Sequence, residues 1–181
     1  MPTSAVSAYL YLLDSAFESS RWHSLVGNLK SLQPGDWTWM PSGSDRSIQY
    51  IVEHLGLCKI MYENHAFGDG GLRWEDRLIE DESVFATVPS AIEWLCGCNN
   101  KWRQSVAALT DEDLLVPRKT NWGEMAETRW IISAMLEHDV YHAGEINYMR
   151  TLHNQESNWY QDDYDRSIQL AKLAQIGGGQ P

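Results

Sequence analysis

The sequence predicts an all-α fold, a four-helix bundle with an additional C-terminal helix. Three observations predict it. Long segments carry apolar residues in alternating steps of three and four, the spacing of one helix face. Clusters of Gly, Pro, Ser and Asp separate those segments. No alternating run bounded by hairpin turn residues interrupts them. The 181 residues suffice for one sizeable core, and 43% apolar with 22% charged residues is the balance of a globular domain. The bundle is expected over residues 1–155 and the helical extension over 156–181, with a frayed end.

The first long helix is expected from Ser4, a potential N-cap, to about Leu29, with Tyr9, Leu10, Leu13, Phe17 and Ser20 in helical spacing. Gln33-Pro34-Gly35-Asp36 ends it, and a loop with Trp37 and Trp39 follows, placed to cover one end of the bundle. Ser44 or Asp45 caps the second helix, which runs to about Ala66 before Gly68-Asp69-Gly70-Gly71. Its interior stripe is Ser47, Tyr50, Ile51, His54, Leu57, Cys58 and Met61. Residues 68–88 lack periodicity, which suggests a short extra helix, an active-site lid or a solvated connection. Pro89 or Ser90 opens the third helix, whose stripe is Val88, Ile92, Leu95, Asn99, Trp102, Val106 and Leu109. Asn99 breaks that stripe, either to bond into the bundle or to fix register. The fourth helix spans roughly Glu127 to His153, and a fifth, amphipathic one Trp159 to Ile176. Asp-Arg-Ser-Ile-Gln occurs at 45–49 and 165–169, both at a helix start, and reads as repeated capping chemistry.

Composition excludes several functions. The net charge is -11 and there is no basic block, so a phosphate backbone or an anionic membrane surface is repelled. Cys58, Cys96 and Cys98 are odd in number and lack the spacing of a disulfide framework. No signal peptide and no stretch of 18 apolar residues appears. A cytoplasmic protein acting on a small molecule is the expectation. Nine Trp and eight Tyr suit pocket walls and interfaces, or fill gaps between helices. The Trp-rich loops and the extra helix offer apolar surface for a homodimer contact.

The chemistry concentrates in Leu136-Glu137-His138-Asp139-Val140-Tyr141-His142-Ala143-Gly144-Glu145-Ile146. His138 and His142 lie one helical turn apart on one face, within reach of a single metal ion. Their stripe is Ile131, Met135, His138, His142, Glu145, Met149 and Leu152, so both replace apolar residues in a core-facing seam. Six histidines in 181 positions give such a pair by chance in roughly one chain in five, so spacing alone is weak. His54 stands mid-seam on another helix, and bundle cores build metal sites from facing helices. These residues alone fit either a shared metal or core histidines satisfied by protein partners. His23, His65 and His153 fall near helix ends and read as capping or solvated groups. Cys58, four residues after His54, is a conceivable thiolate ligand or a small buried filler. Glu145 reads as a general base, as an acceptor for a histidine N–H, or as a partly exposed residue at the bundle mouth. Tyr50 orients a ligand or packs. No Glu-x-x-His pair and no His-Glu-x-x-His occurs, which sets aside di-iron carboxylate and standard zinc-protease chemistry.

Ser47-Ile48-Gln49-Tyr50-Ile51-Val52-Glu53-His54-Leu55 resembles the second-helix motif of the DinB/YfiT-like superfamily. Thr128-Arg129-Trp130-Ile131-Ile132, continuing through His138-Asp139-Val140-Tyr141-His142-Ala143-Gly144-Glu145-Ile146, resembles its last-helix motif. Thr110-Asp111-Glu112-Asp113-Leu114 matches the usual lead-in. The resemblance covers roughly residues 5–153 and implies a DinB-like four-helix bundle with a divalent metal on His54, His138 and His142. Nickel and zinc suit imidazole, with iron or manganese as further options. The resemblance also implies a transferase in which the metal activates a low-molecular-weight thiol against a small electrophile. A metal-dependent hydrolase is the alternative enzyme, and a non-catalytic ligand-binding or stress-response bundle is the alternative class. No substrate-binding residue transfers from the family.

Overall fold

The computed structural model describes residues 4–20, 23–33 and 35–155. The expected fifth helix, the second Asp-Arg-Ser-Ile-Gln and Pro34 lie outside the described residues. The rest is an all-α bundle with one small hairpin. Helix α1 is Ala5–Asp14, α2 is Leu25–Lys30, α3 is Ile48–Phe67, α4 is Val88–Ala107 and α5 is Thr128–Asn154. Helix α3 packs against α4 and α5, while α1 and α2 each touch α4 and α5. No helix among the described residues is long and apolar enough to cross a membrane.

The first arm is not the single helix expected from Ser4 to Leu29. Ser4 does cap α1, accepting from the Ser7 N–H, and the Asp111 carboxylate accepts from the N–H groups of Ala5 and Val6. After Asp14 the helix widens into a π turn over Ser15–Ser19, and Ser20 is extended. The Ser24 hydroxyl donates to the Ser20 carbonyl and accepts from the Gly27 N–H, so it opens α2 as a new N-cap. Short hydroxyl side chains that bond their own backbone compete with helix continuation. Ser20 is therefore the break in the arm, not part of its stripe.

Helix α3 starts one turn later than a Ser44 or Asp45 cap would give. Ser47 is the N-cap, accepting from the Tyr50 N–H, and so leaves the interior stripe assigned to it. Tyr50 leaves that stripe too, at 49% exposed. Thr87 caps α4, with Pro89 in the first turn, and Leu95, Asn99, Trp102 and Val106 are buried as the heptad stripe requires. Residues 68–88 contain one short helical turn, Glu82–Phe85, anchored by the buried Phe85. The Trp-bearing loop covers a bundle end: Trp37 Nε1 donates to the Phe85 carbonyl, and Trp39 stacks on His153.

The connection before α5 holds the strands that alternation did not reveal. Strands β1 (Pro117–Lys119) and β2 (Met125–Glu127) pair antiparallel in the register Pro117↔Glu127, Arg118↔Ala126 and Lys119↔Met125. Gly123 takes a positive φ of 94° in their turn, a conformation that suits glycine. Helix α5 runs to Asn154, one residue beyond the expected His153, and Gln155 caps it in the left-handed region.

The core has two apolar clusters. One gathers Phe17, Leu25, Leu29, Ile51, Leu55, Leu95, Ala143 and Ile146. The other gathers Leu13, Cys58, Trp102, Val106, Leu114, Ile131 and Met135. On α3 the change of cluster falls between Leu55 and Cys58, and on α5 between Met135 and Ala143. Both intervals, with their near neighbours, hold the polar residues His54, Lys59, His138, Asp139 and His142.

Candidate metal centre

Helix periodicity brings His138 and His142 to one face of α5, and the packing of α3 on α5 brings His54 to meet them. His138 Nε2 lies 3.1 Å from His54 Nε2 and 3.1 Å from His142 Nε2. One nitrogen from each ring falls within 4.8 Å of the others, and these three histidines form a group able to hold a metal ion. The rings meet edge-on: the His138–His142 planes are 89° apart and the His54–His142 planes 70°. Edge-on rings aim nitrogens, not faces, at the common point.

Glu145 sets the identity of one donor. Its Oε2 lies 2.6 Å from His142 Nδ1, so a carboxylate there accepts the Nδ1 proton. In the neutral ring that leaves Nε2 as a lone pair directed at the other two histidines. The Arg46 guanidinium lies 3.6 Å from the second Glu145 oxygen.

Electrostatics favour neutral rings. Burial, then the neighbouring His142 and His54, then Lys59, push the His138 pKa down to about 3. Burial first, with His142 and Arg46 behind it, also lowers His54. A neutral His138 then leaves a mismatch within the protein. With the proton on Nε2, it has two close nitrogen neighbours and one hydrogen. With the proton on Nδ1, that N–H is buried and has no partner among the described residues. Three lone pairs facing one point repel unless a cation sits between them. Two imidazole nitrogens bound to one ion at ~2.0–2.1 Å stand roughly 2.8–3.4 Å apart, from adjacent octahedral to tetrahedral angles. The two 3.1 Å separations match that, so the donor set fits a divalent metal.

The other candidates separate from this group. Cys58 Sγ lies 3.6 Å and 3.8 Å from the two His54 ring nitrogens, is buried, and stands outside the three-histidine group. His23 meets Ser20, His65 faces the Leu72 carbonyl, and His153 meets the buried Asp36 carboxylate at 2.8 Å. His153 is thus an anchor for the loop before α3. Leu152 is 42% exposed and falls outside the seam predicted for it.

Two features escaped the sequence reading. Arg46 reaches Glu145 from the loop before α3, and no spacing rule announces it. Lys59 and Asp139 form a buried ion pair at 2.8 Å, with side chains 0% and 1% exposed. A signal for it existed. Ile132, Met135, Asp139, Ala143 and Ile146 make a second row on α5 in steps of three and four, with a carboxylate at its middle. Val52, Leu55 and Lys59 do the same on α3.

Residues 17–146 match the sequence model of the DinB superfamily. No curated protein matches the chain.

Proposed function

The chain belongs to the DinB superfamily, and on that premise we propose that it is a divalent-metal-dependent transferase that joins a low-molecular-weight thiol to a small electrophile. The carrying observation is the group of three imidazole nitrogens with no fourth protein ligand among the described residues. Three protein ligands with remaining positions is the pattern of catalytic rather than structural sites. When bound, a divalent ion there supplies Lewis acidity that lowers the pKa of a thiol or a water in its open positions.

The chain's own residues perform the rest. His54, His138 and His142 bind as neutral rings, so at pH 7 binding displaces no proton from His54 or His138. Glu145 holds the proton at His142 Nδ1 and keeps its Nε2 toward the site, and Arg46 restrains the carboxylate. His54 and His138 are only half-buried, so the site is open to a ligand from solvent. Tyr50, one turn before His54 and half-exposed, is placed to orient such a ligand. Cytoplasmic residence fits the reduced thiols and the absence of a disulfide among the described cysteines.

The first test is metal content by plasma mass spectrometry on untagged protein beside His54→Ala. Near-stoichiometric nickel or zinc, lost in the variant, is the expected result. The loaded enzyme is then assayed with an electrophile, with and without thiol. Thiol-dependent consumption supports the transferase. Turnover without thiol assigns a hydrolase instead, with water in the open position. Metal binding without product in either assay assigns a ligand-binding bundle. No metal after reconstitution overturns the reading.

A further inference from the structure

We propose that Lys59 and Asp139 are positioning residues for the three-histidine site, locking α3 and α5 in the register that brings His54 to His138 and His142. The inference rests on the metal reading above.

Lys59 follows His54 by five residues on α3, and Asp139 directly follows His138 on α5. The ammonium donates to Asp139 Oδ2 at 2.8 Å, deep in the bundle, and lies 5.1 Å from the Phe17 ring centroid. The pair therefore joins the same two helices that carry the ligands, within about two turns of them. One residue of helix slide moves a side chain ~1.5 Å along the axis. The nitrogen separations in the site are 3.1 Å, so a slide of that size dismantles it.

Stability alone is a poor reason for this pair. Desolvating two charges offsets much or all of their attraction, and apolar replacements of similar volume are often neutral or stabilising. Apolar packing, though, is non-directional and can be repacked in more than one way, whereas an ion pair in a dry core has one favourable register. The neighbours on both helices are apolar: Leu55 and Met61 on α3, Met135 and Ala143 on α5. Among them the ion pair adds a directional contact that distinguishes one axial position from the next. Asp139 Oδ1 has no hydrogen bond among the described residues, so the orientation of the carboxylate rests there on the Lys59 contact.

The test compares two double variants with wild type, reading zinc affinity by chelator competition and the thermal midpoint of the metal-free protein. Lys59→Met with Asp139→Leu removes the charges and leaves no buried ion unpaired. It is expected to melt within a few degrees of wild type, or above it, and to bind zinc at least tenfold more weakly. Lys59→Gln with Asp139→Gln shifts one bond of length from one side chain to the other and so keeps a neutral amide hydrogen bond across the same gap. It is expected within about threefold of wild-type affinity, including when the apolar variant fails to fold. An apolar variant that folds and binds zinc within twofold of wild type overturns the lock. So does an amide pair that folds but binds at least tenfold more weakly. The parent reading fails by a different sign: wild type takes up no zinc, or His54→Ala binds it equally well. Either of those results removes the lock as well.

Discussion

Glu145 decides which nitrogen of His142 faces the other two histidines. Its oxygen accepts at 2.6 Å from Nδ1, and a ring whose Nδ1 proton is held in place cannot swing or change tautomer freely. Glu145→Ala leaves that N–H without its acceptor and frees Arg46. It is expected to weaken metal binding about 10–100-fold, the usual effect of removing such a partner. Glu145→Gln keeps an oxygen acceptor and is expected to fall between wild type and Ala. Chelator competition on the three proteins checks the order, and equal affinities would show that Glu145 leaves the ligand unoriented. Tyr50 is the contrasting case. It is half-exposed, so Tyr50→Phe is expected to leave metal content unchanged and to act, if at all, on the Michaelis constant for substrate.

At the scale of the element, Gly56 of α3 leaves room for the Trp94 ring of α4 in the α3–α4 seam. A Cβ added to Gly56 would stand 2.1 Å from the Trp94 ring, and that ring meets Phe85 edge-on at 5.0 Å. Gly56→Ala is thus an overpacking change, expected to destabilise by about 1–3 kcal/mol through displacement of Trp94. A lowered urea midpoint with unchanged slope checks it, and an unchanged midpoint would mean that the ring moves aside freely. Much of this element structure was legible in the sequence. The seams of α3, α4 and α5 follow the three-and-four spacing, and the three histidines sit in them as two helices require. Other parts were not legible, for physical reasons. The break at Ser20 depends on hydroxyl-to-backbone bonds, and the serines there fit a helical stripe equally well. Strands of three residues are too short to show alternation. Lys59 and Asp139 each stand in an apolar row, but they are 80 positions apart, so that the two meet is decided by tertiary packing.

At the scale of the whole molecule, the histidine layer between the two apolar clusters links stability to pH and metal. His138 has a folded pKa of about 3, and that of His54 is also lowered. In the unfolded chain a histidine titrates near ~6.5. Above that value both states are neutral and the full stability is present. As pH falls below it, the unfolded chain takes up protons that the folded chain refuses, so stability is lost progressively toward pH 3 for His138. Metal-free wild type is therefore expected to lose urea resistance between about pH 7 and pH 5, above the range where ordinary carboxylates protonate. His138→Leu removes the buried imidazole and is expected to show a shallower slope across that window, since one refused proton is gone. A saturating ion binds only the folded state and adds stability as ligand excess grows, about 4 kcal/mol at 1,000 times the dissociation constant. Chelation should therefore lower the midpoint of wild type and leave that of His138→Leu nearly where it was. Parallel pH slopes for the two metal-free proteins would mean that His138 takes up its proton in the fold as readily as in the unfolded chain, so that burial does not hold the ring neutral.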